Sequence, residues 1–158
     1  MRYKFFTFCF LVELTAGVTG CATQKSTPPT VGYVAVACPQ DKSLVYLYRS
    51  RFFILNEGIK MYVNDKPVVT LGGHEYCPLI LDPGYKTFSH ETESGPYGVF
   101  HSIMDGMALE LQPSKTYFVA YRFSINPFQH QHPRPWMVLV DPATGTNEMS
   151  SDVLKKPL

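Results

Sequence analysis

The sequence predicts an all-β domain, an antiparallel β-sandwich of seven to eight strands. Three observations lead there. From Tyr33 onward apolar residues recur with a period of two rather than 3.6. Turn residues (Pro, Gly, Asn, Asp) punctuate the runs at short intervals. The chain also carries 10 Tyr and 11 Phe, side chains that suit pleated, half-buried surfaces.

The elements follow in order. Ser43 to Ser50 alternates Leu44, Tyr46 and Tyr48 with Val45, Leu47 and Arg49. With apolar residues on both faces, it reads as a central strand. Ile59, Met61 and Val63 share one side of the next strand. Asn64-Asp65-Lys66-Pro67 turns the chain, and Val68 to Leu71 returns as the second arm of a hairpin. Gly72-Gly73 ends it. Tyr76 to Leu81 is another strand, and Pro78 within it predicts an edge or a bulge. Asp82-Pro83-Gly84-Tyr85 fits a type II turn, with proline fixing φ at the second position and glycine supplying positive φ at the third. Lys86 to Thr92 continues as a strand, and Met107, Leu109 and Leu111 alternate in the next. Gln112 to Lys115 turns into Thr116 to Ile125, where Tyr117, Val119, Tyr121, Phe123 and Ile125 share a face. Trp136, Val138 and Val140 form the last clear strand, ended by Asp141-Pro142. Residues 147–156 read as a short surface helix.

The N-terminus has the layout of a secretory signal peptide: the basic head Met1-Arg2-Tyr3-Lys4, the apolar run Phe5 to Val12, then small residues to Gly20. Its apolar stretch is shorter than the ~20 residues a membrane span requires. Val18-Thr19-Gly20-Cys21 resembles the lipobox of bacterial lipoproteins. That resemblance implies cleavage before Cys21, which would carry a thioether-linked diacylglycerol and an acyl chain of the palmitate type. Each buried methylene contributes about 0.8 kcal/mol, so two or three chains anchor a protein durably. By resemblance to the lipoproteins of Gram-negative bacteria, in which Asp at the next position marks retention at the inner membrane, Ala22 implies an outer-membrane anchor facing the periplasm. The expected organisation is therefore signal peptide 1–20, lipidated tether 21–32, β-sandwich 33–145 and C-terminal tail or helix 146–158.

Loss of Arg2, Lys4 and Glu13 with the leader turns 14 basic and 13 acidic side chains into a balanced set. Such a body has no basic field to attract nucleic acid. Of the 4 cysteines, Cys9 leaves with the leader and Cys21 is committed to lipid. Cys38 and Cys77 remain, and an oxidising periplasm permits a disulfide between them. Two separate buried thiols are the other reading.

Residues 43–53 (SLVYLYRSRFF), 59–93 (IKMYVNDKPVVTLGGHEYCPLILDPGYKTFSHETE) and 107–125 (MALELQPSKTYFVAYRFSI) resemble a family of bacterial lipoprotein domains known only as a domain of unknown function. The shared layout is a strand ending in Tyr-Arg, a hairpin carrying Val-Asn-Asp, a strand into Pro-Gly, and a later Leu-x-Pro-x-Lys-x-Tyr. The resemblance spans roughly Leu44 to Val140, and the stretch 94–106 departs from it as an insertion. The middle portion is also similar to small β-domains associated with surface layers. These motifs are turn and core positions, so they imply fold and bring no catalytic residues.

Candidate sites lie in two long connections, 94–106 and 126–135. His130 and His132, two residues apart, would point to one side if extended and share a metal with His101 or His74. Among Pro127, Pro133 and Pro135 they also read as ordinary surface histidines. His90 and Glu91 are neighbours on a strand and face opposite ways, so they do not converge as an acid–base pair and read as a solvated strand end. No serine sits in a Gly-x-Ser-x-Gly elbow. Tyr97, Phe100, Phe128 and Trp136 flank the two connections and would make an anchor-rich recognition patch if exposed together. The expectation is a non-enzymatic envelope lipoprotein without a cofactor, held to the membrane by lipid and contacting an envelope protein. The alternative is a small-ligand or metal-binding lipoprotein using His101, His130 and His132, and a small periplasmic hydrolase stands third.

Overall fold

The computed structural model describes residues 31–49, 58–92, 106–124 and 134–158. They form nine strands: β1 Ser43–Arg49, β2 Ile59–Val63, β3 Lys66–Leu71, β4 Glu75–Leu81, β5 Gly84–Thr92, β6 Met107–Leu111, β7 Thr116–Ser124, β8 Arg134–Val140 and β9 Val153–Leu154. A helix, α1 (Pro142–Glu148), and a single 3-10 turn (Met149–Ser151) separate β8 from β9.

Strand alternation divides these elements into two sheets. One has the order β3-β2-β5-β6 and is antiparallel throughout. The other, β8-β7-β1-β4-β9, is mixed. There β1 pairs with β7 in parallel and β4 with β9 in parallel, which departs from the all-antiparallel expectation. The two sheets share one core. Val45, Leu47, Cys77, Leu79, Val119, Tyr121 and Met137 from the mixed sheet meet Ile59, Met61, Leu71, Phe88 and Leu111 from the other.

Several turns form as their residues dictate. Asn64 and Asp65 adopt φ of 48° and 62°, so the β2–β3 hairpin closes in two residues and Pro67 falls inside the edge strand β3. Gly84 takes φ of 103°, the conformation expected of the third turn position. Pro78 lies on β4 between β1 and β9, but β9 pairs only with Glu75 and Tyr76. At Pro78 itself one side of β4 has no strand partner among the described residues, so no ladder bond is lost.

β1 is buried along its whole length because the mixed sheet is covered on both faces. Its outer face carries Leu44, Tyr46, Tyr48, Tyr76, Phe118 and Ala120, under Met149 and the N-terminal strap, residues 31–40. Apart from a bridge between Val31 and Val153, the strap has no strand partner among the described residues. Two tyrosine hydroxyls serve its backbone instead. Tyr76 donates to Gly32 O at 2.8 Å and accepts from Val34 N at 2.9 Å. Tyr46 donates to Val34 O at 3.1 Å and accepts from Val36 N at 2.8 Å. Val31 and Gly32, expected within the tether, are therefore already fixed to the body, with Gly32 N donating to Asp152 O at 2.8 Å.

The C-terminal region also differs from expectation. Helix α1 starts at Pro142, five residues before the expected 147, with Asp141 as its N-cap accepting from Thr144 N at 3.0 Å. Beyond β9 the chain crosses from one sheet to the other: Lys155 N donates to Tyr76 O and Leu158 N to Val68 O. The tail thus covers the edge of β3 that a hairpin alone would leave open.

Candidate functional site

The connections divide the body into two unlike ends. At one end the links are tight: Asn64-Asp65, Asp82-Pro83 and residues 112–115. At the other end lie Arg49 opposite Glu75, Ile59 opposite Leu71 and Thr92, and Ser124 opposite Arg134. The strand ends bracketing 50–57, 93–105 and 125–133 are therefore gathered at this second end, joined by the short Gly72–His74 link. The topology brings the long connections together although they are far apart in sequence.

The described polar groups at this end work in pairs. Glu148, the last residue of α1, accepts from Tyr48 Oη at 2.6 Å and from Arg122 Nη2 at 2.7 Å on each carboxylate oxygen. Burial is the main cause that pushes the Tyr48 phenol upward, with the hydrogen bond to Glu148 second. The His74 ring Nδ1 lies 3.4 Å from Asp152 Oδ1. His74 reaches it from a left-handed backbone conformation, φ 61°, at the β3–β4 link. Asp152 is 2% exposed and its Oδ2 has no hydrogen-bond partner among the described residues. Burial therefore raises its pKa from the ordinary 3.8, opposed by His74. An acid held above its unfolded pKa contributes its stability below that value and loses it as pH rises through the native one. Glu75 accepts from Gly72 N at 2.6 Å and pairs with Lys155 at 3.2 Å. On the antiparallel sheet, Glu91 accepts from Tyr62 Oη and lies 3.8 Å from Lys60.

This geometry fastens the C-terminal segment to the mixed sheet. Tyr48 and Arg122 grip α1, His74 faces Asp152 before β9, and Glu75 holds Lys155. The carboxylates are turned toward these partners rather than toward a shared reaction centre. Among the described residues no three His, Cys, Asp or Glu side chains are grouped to hold a metal ion.

The expected disulfide is corrected. Cys38 and Cys77 are both free thiols. Cys77 alternates with Tyr76 on β4 and so enters the core between the sheets, whereas Cys38 packs over the outer face with the strap. The backbone of the mixed sheet lies between them. They also sit at different heights: Cys77 pairs with Leu47, while Cys38 Sγ lies 3.4 Å from Lys42 O near the tight-turn end. Burial pushes the Cys77 thiol up to about 12, so it is unreactive at neutral pH.

His90 and Glu91 do face opposite sides, but the expected solvated strand end is corrected too. His90 is 3% exposed, on the same face as Phe88, and its ring meets Tyr121 edge-on with centroids 4.9 Å apart. Trp136 stands 40% exposed at the start of β8, opposite Arg122. Cys21, Tyr97, Phe100, His101, Phe128, His130 and His132 lie outside the described residues.

Sequence reasoning missed the Tyr48–Glu148–Arg122 and His74–Asp152 groups. Tyr48 and Glu148 are 100 positions apart, and no local pattern announces such a pair. No model of a known protein family matches the chain, and no curated protein matches it.

Proposed function

We propose that this chain is a lipid-anchored protein of the bacterial cell envelope, lipidated at Cys21, whose β-sandwich body serves as a non-enzymatic adaptor or structural component. The observation that carries the reading is the N-terminal layout: basic head, short apolar core, then Val18-Thr19-Gly20-Cys21. The fold supports it in that Val31, ten positions after that cysteine, is already bridged to Val153 of the body. The polar, proline-bearing stretch Ala22 to Thr30 stands between anchor and body, as a spacer would. The non-enzymatic part rests on the paired groups at the end carrying the long connections, which hold elements of the fold together.

The test is Cys21→Ser in cells making the full chain, followed by fractionation. The wild-type protein is expected in the membrane pellet after a high-salt wash, and the variant in the soluble fraction. A variant that stays in the pellet overturns the reading.

A further inference from the structure

We infer that the end of the body carrying Arg49, Glu75, Ser124 and Trp136 is the end that meets the lipid surface, with Trp136 at the water–lipid boundary. The inference rests on the proposed anchor at Cys21 and adds an orientation and a contact surface to it.

The chain enters the body at one end. Val31 is bridged to Val153, and Val153 pairs with Glu75, the first residue of β4. Gly32 is tied to Asp152 and Tyr76 beside it. From there the strap runs away from this end. Val34 and Val36 meet Tyr76 and Tyr46 in turn, and Cys38 reaches Lys42 O and Lys115 O at the tight-turn end. The chain preceding Val31 therefore joins the body at the end that carries the long connections.

The link to Cys21 has a limited reach. Ten peptide units separate Cys21 from Val31. They span at most about 35 Å when fully extended. The nine-residue strands β5 and β7 measure about 30 Å. For the tight-turn end to touch the bilayer, the link would have to run the length of the body almost taut. The entry end reaches the surface without any extension of the link.

Trp136 is the single tryptophan of the chain and is part-exposed at the entry end, where an indole ring suits the water–lipid interface. Arg122, opposite Trp136, is paired with Glu148, and elsewhere at this end Lys155 pairs with Glu75 and Lys60 with Glu91. Among the described residues these pairs balance one another, so they add no net negative charge to oppose contact with anionic lipid. The far end also exposes an apolar ring, Tyr85, so exposure alone does not choose between the ends and reach decides.

The experiment uses the full lipidated protein in phosphatidylcholine–phosphatidylglycerol vesicles containing a lipid-borne bromine or nitroxide quencher. Trp136 emission is read in the wild type. A far-end reporter is read in the double variant Trp136→Phe, Tyr85→Trp, with circular dichroism confirming its fold. Vesicle flotation is scored on the same samples. The expected result is flotation of both, about two-fold quenching of Trp136 with a blue shift, and little quenching at position 85. Flotation with equal quenching at both positions, or more at position 85, overturns the orientation. Flotation with neither quenched also overturns it and leaves that end to a protein partner. Failure to float sinks the anchor reading itself, and the orientation with it.

Discussion

Tyr46→Ala is expected to lower the stability of the body by about 3–5 kcal/mol, the range for truncating a large buried aromatic. Tyr46 is fully buried. Its ring stacks on Phe118 with centroids 5.1 Å apart and planes 12° from parallel, and touches the Tyr33 ring at 5.3 Å. Truncation removes that packing and also strips the strap of the hydroxyl that serves Val34 O and Val36 N. A part-buried backbone group left without its partner adds about 1–3 kcal/mol where water cannot reach it. Urea unfolding measures the total. Tyr46→Phe separates the contributions, because it keeps the ring and removes only the hydroxyl. Alanine at this position costing less than about 1 kcal/mol would contradict the seating of the strap.

Gly145→Ala should destabilise by about 1–2 kcal/mol net, against the ordinary preference of helices for alanine. In an exposed helix the change gains about 1 kcal/mol. Here a Cβ at Gly145 would lie 2.5 Å from Cδ1 and 2.7 Å from Cγ of Phe118. Phe118 cannot move aside freely, since its ring is stacked on Tyr46. Overpacking of this kind typically costs 1–3 kcal/mol, and displacing α1 also strains the Glu148 bonds to Tyr48 and Arg122. Thermal unfolding with the variant equal to or above the wild type would refute the close fit of α1 on β7.

These two residues show why only part of the fold was legible. β2, β5, β6 and β7 announce themselves through alternation bounded by turn residues, and the structure places them within a residue or two of expectation. Their face assignments are local properties of a pleated strand. α1 is different. Pro142–Glu148 has no apolar stripe, and it forms because the glycine permits contact with Phe118 while Asp141 caps its first turn. β9 is two residues long, too short for any period. The parallel pairing of β1 with β7 joins segments about 70 positions apart and depends on topology, which alternation does not encode.

Parity along a strand accounts for the placement of the cysteines and of His90. Tyr76 shares the outer face with Tyr46 and Tyr48, so its neighbour Cys77 had to point inward. A thiol between the sheets cannot reach one lying over the outer face. His90 shares parity with Phe88, a core residue. In both cases side-of-sheet parity outranks separation along the chain.

The candidate site was legible in outline only. Two long connections stood out by length and composition. That the ends bracketing them, together with those of 50–57, gather at one end of the body follows from strand order and register. The chain enters at that same end, through Val31, and this links the anatomy of the fold to its proposed attachment.

The most direct measurement is the intact mass of the mature protein extracted from the membranes of cells expressing the full chain. The account predicts a polypeptide that lacks residues 1–20, starts at Cys21 and is heavier than its sequence by a diacylglyceryl group and an acyl chain. A polypeptide that retains those residues, or one with an unmodified Cys21 thiol, would contradict it.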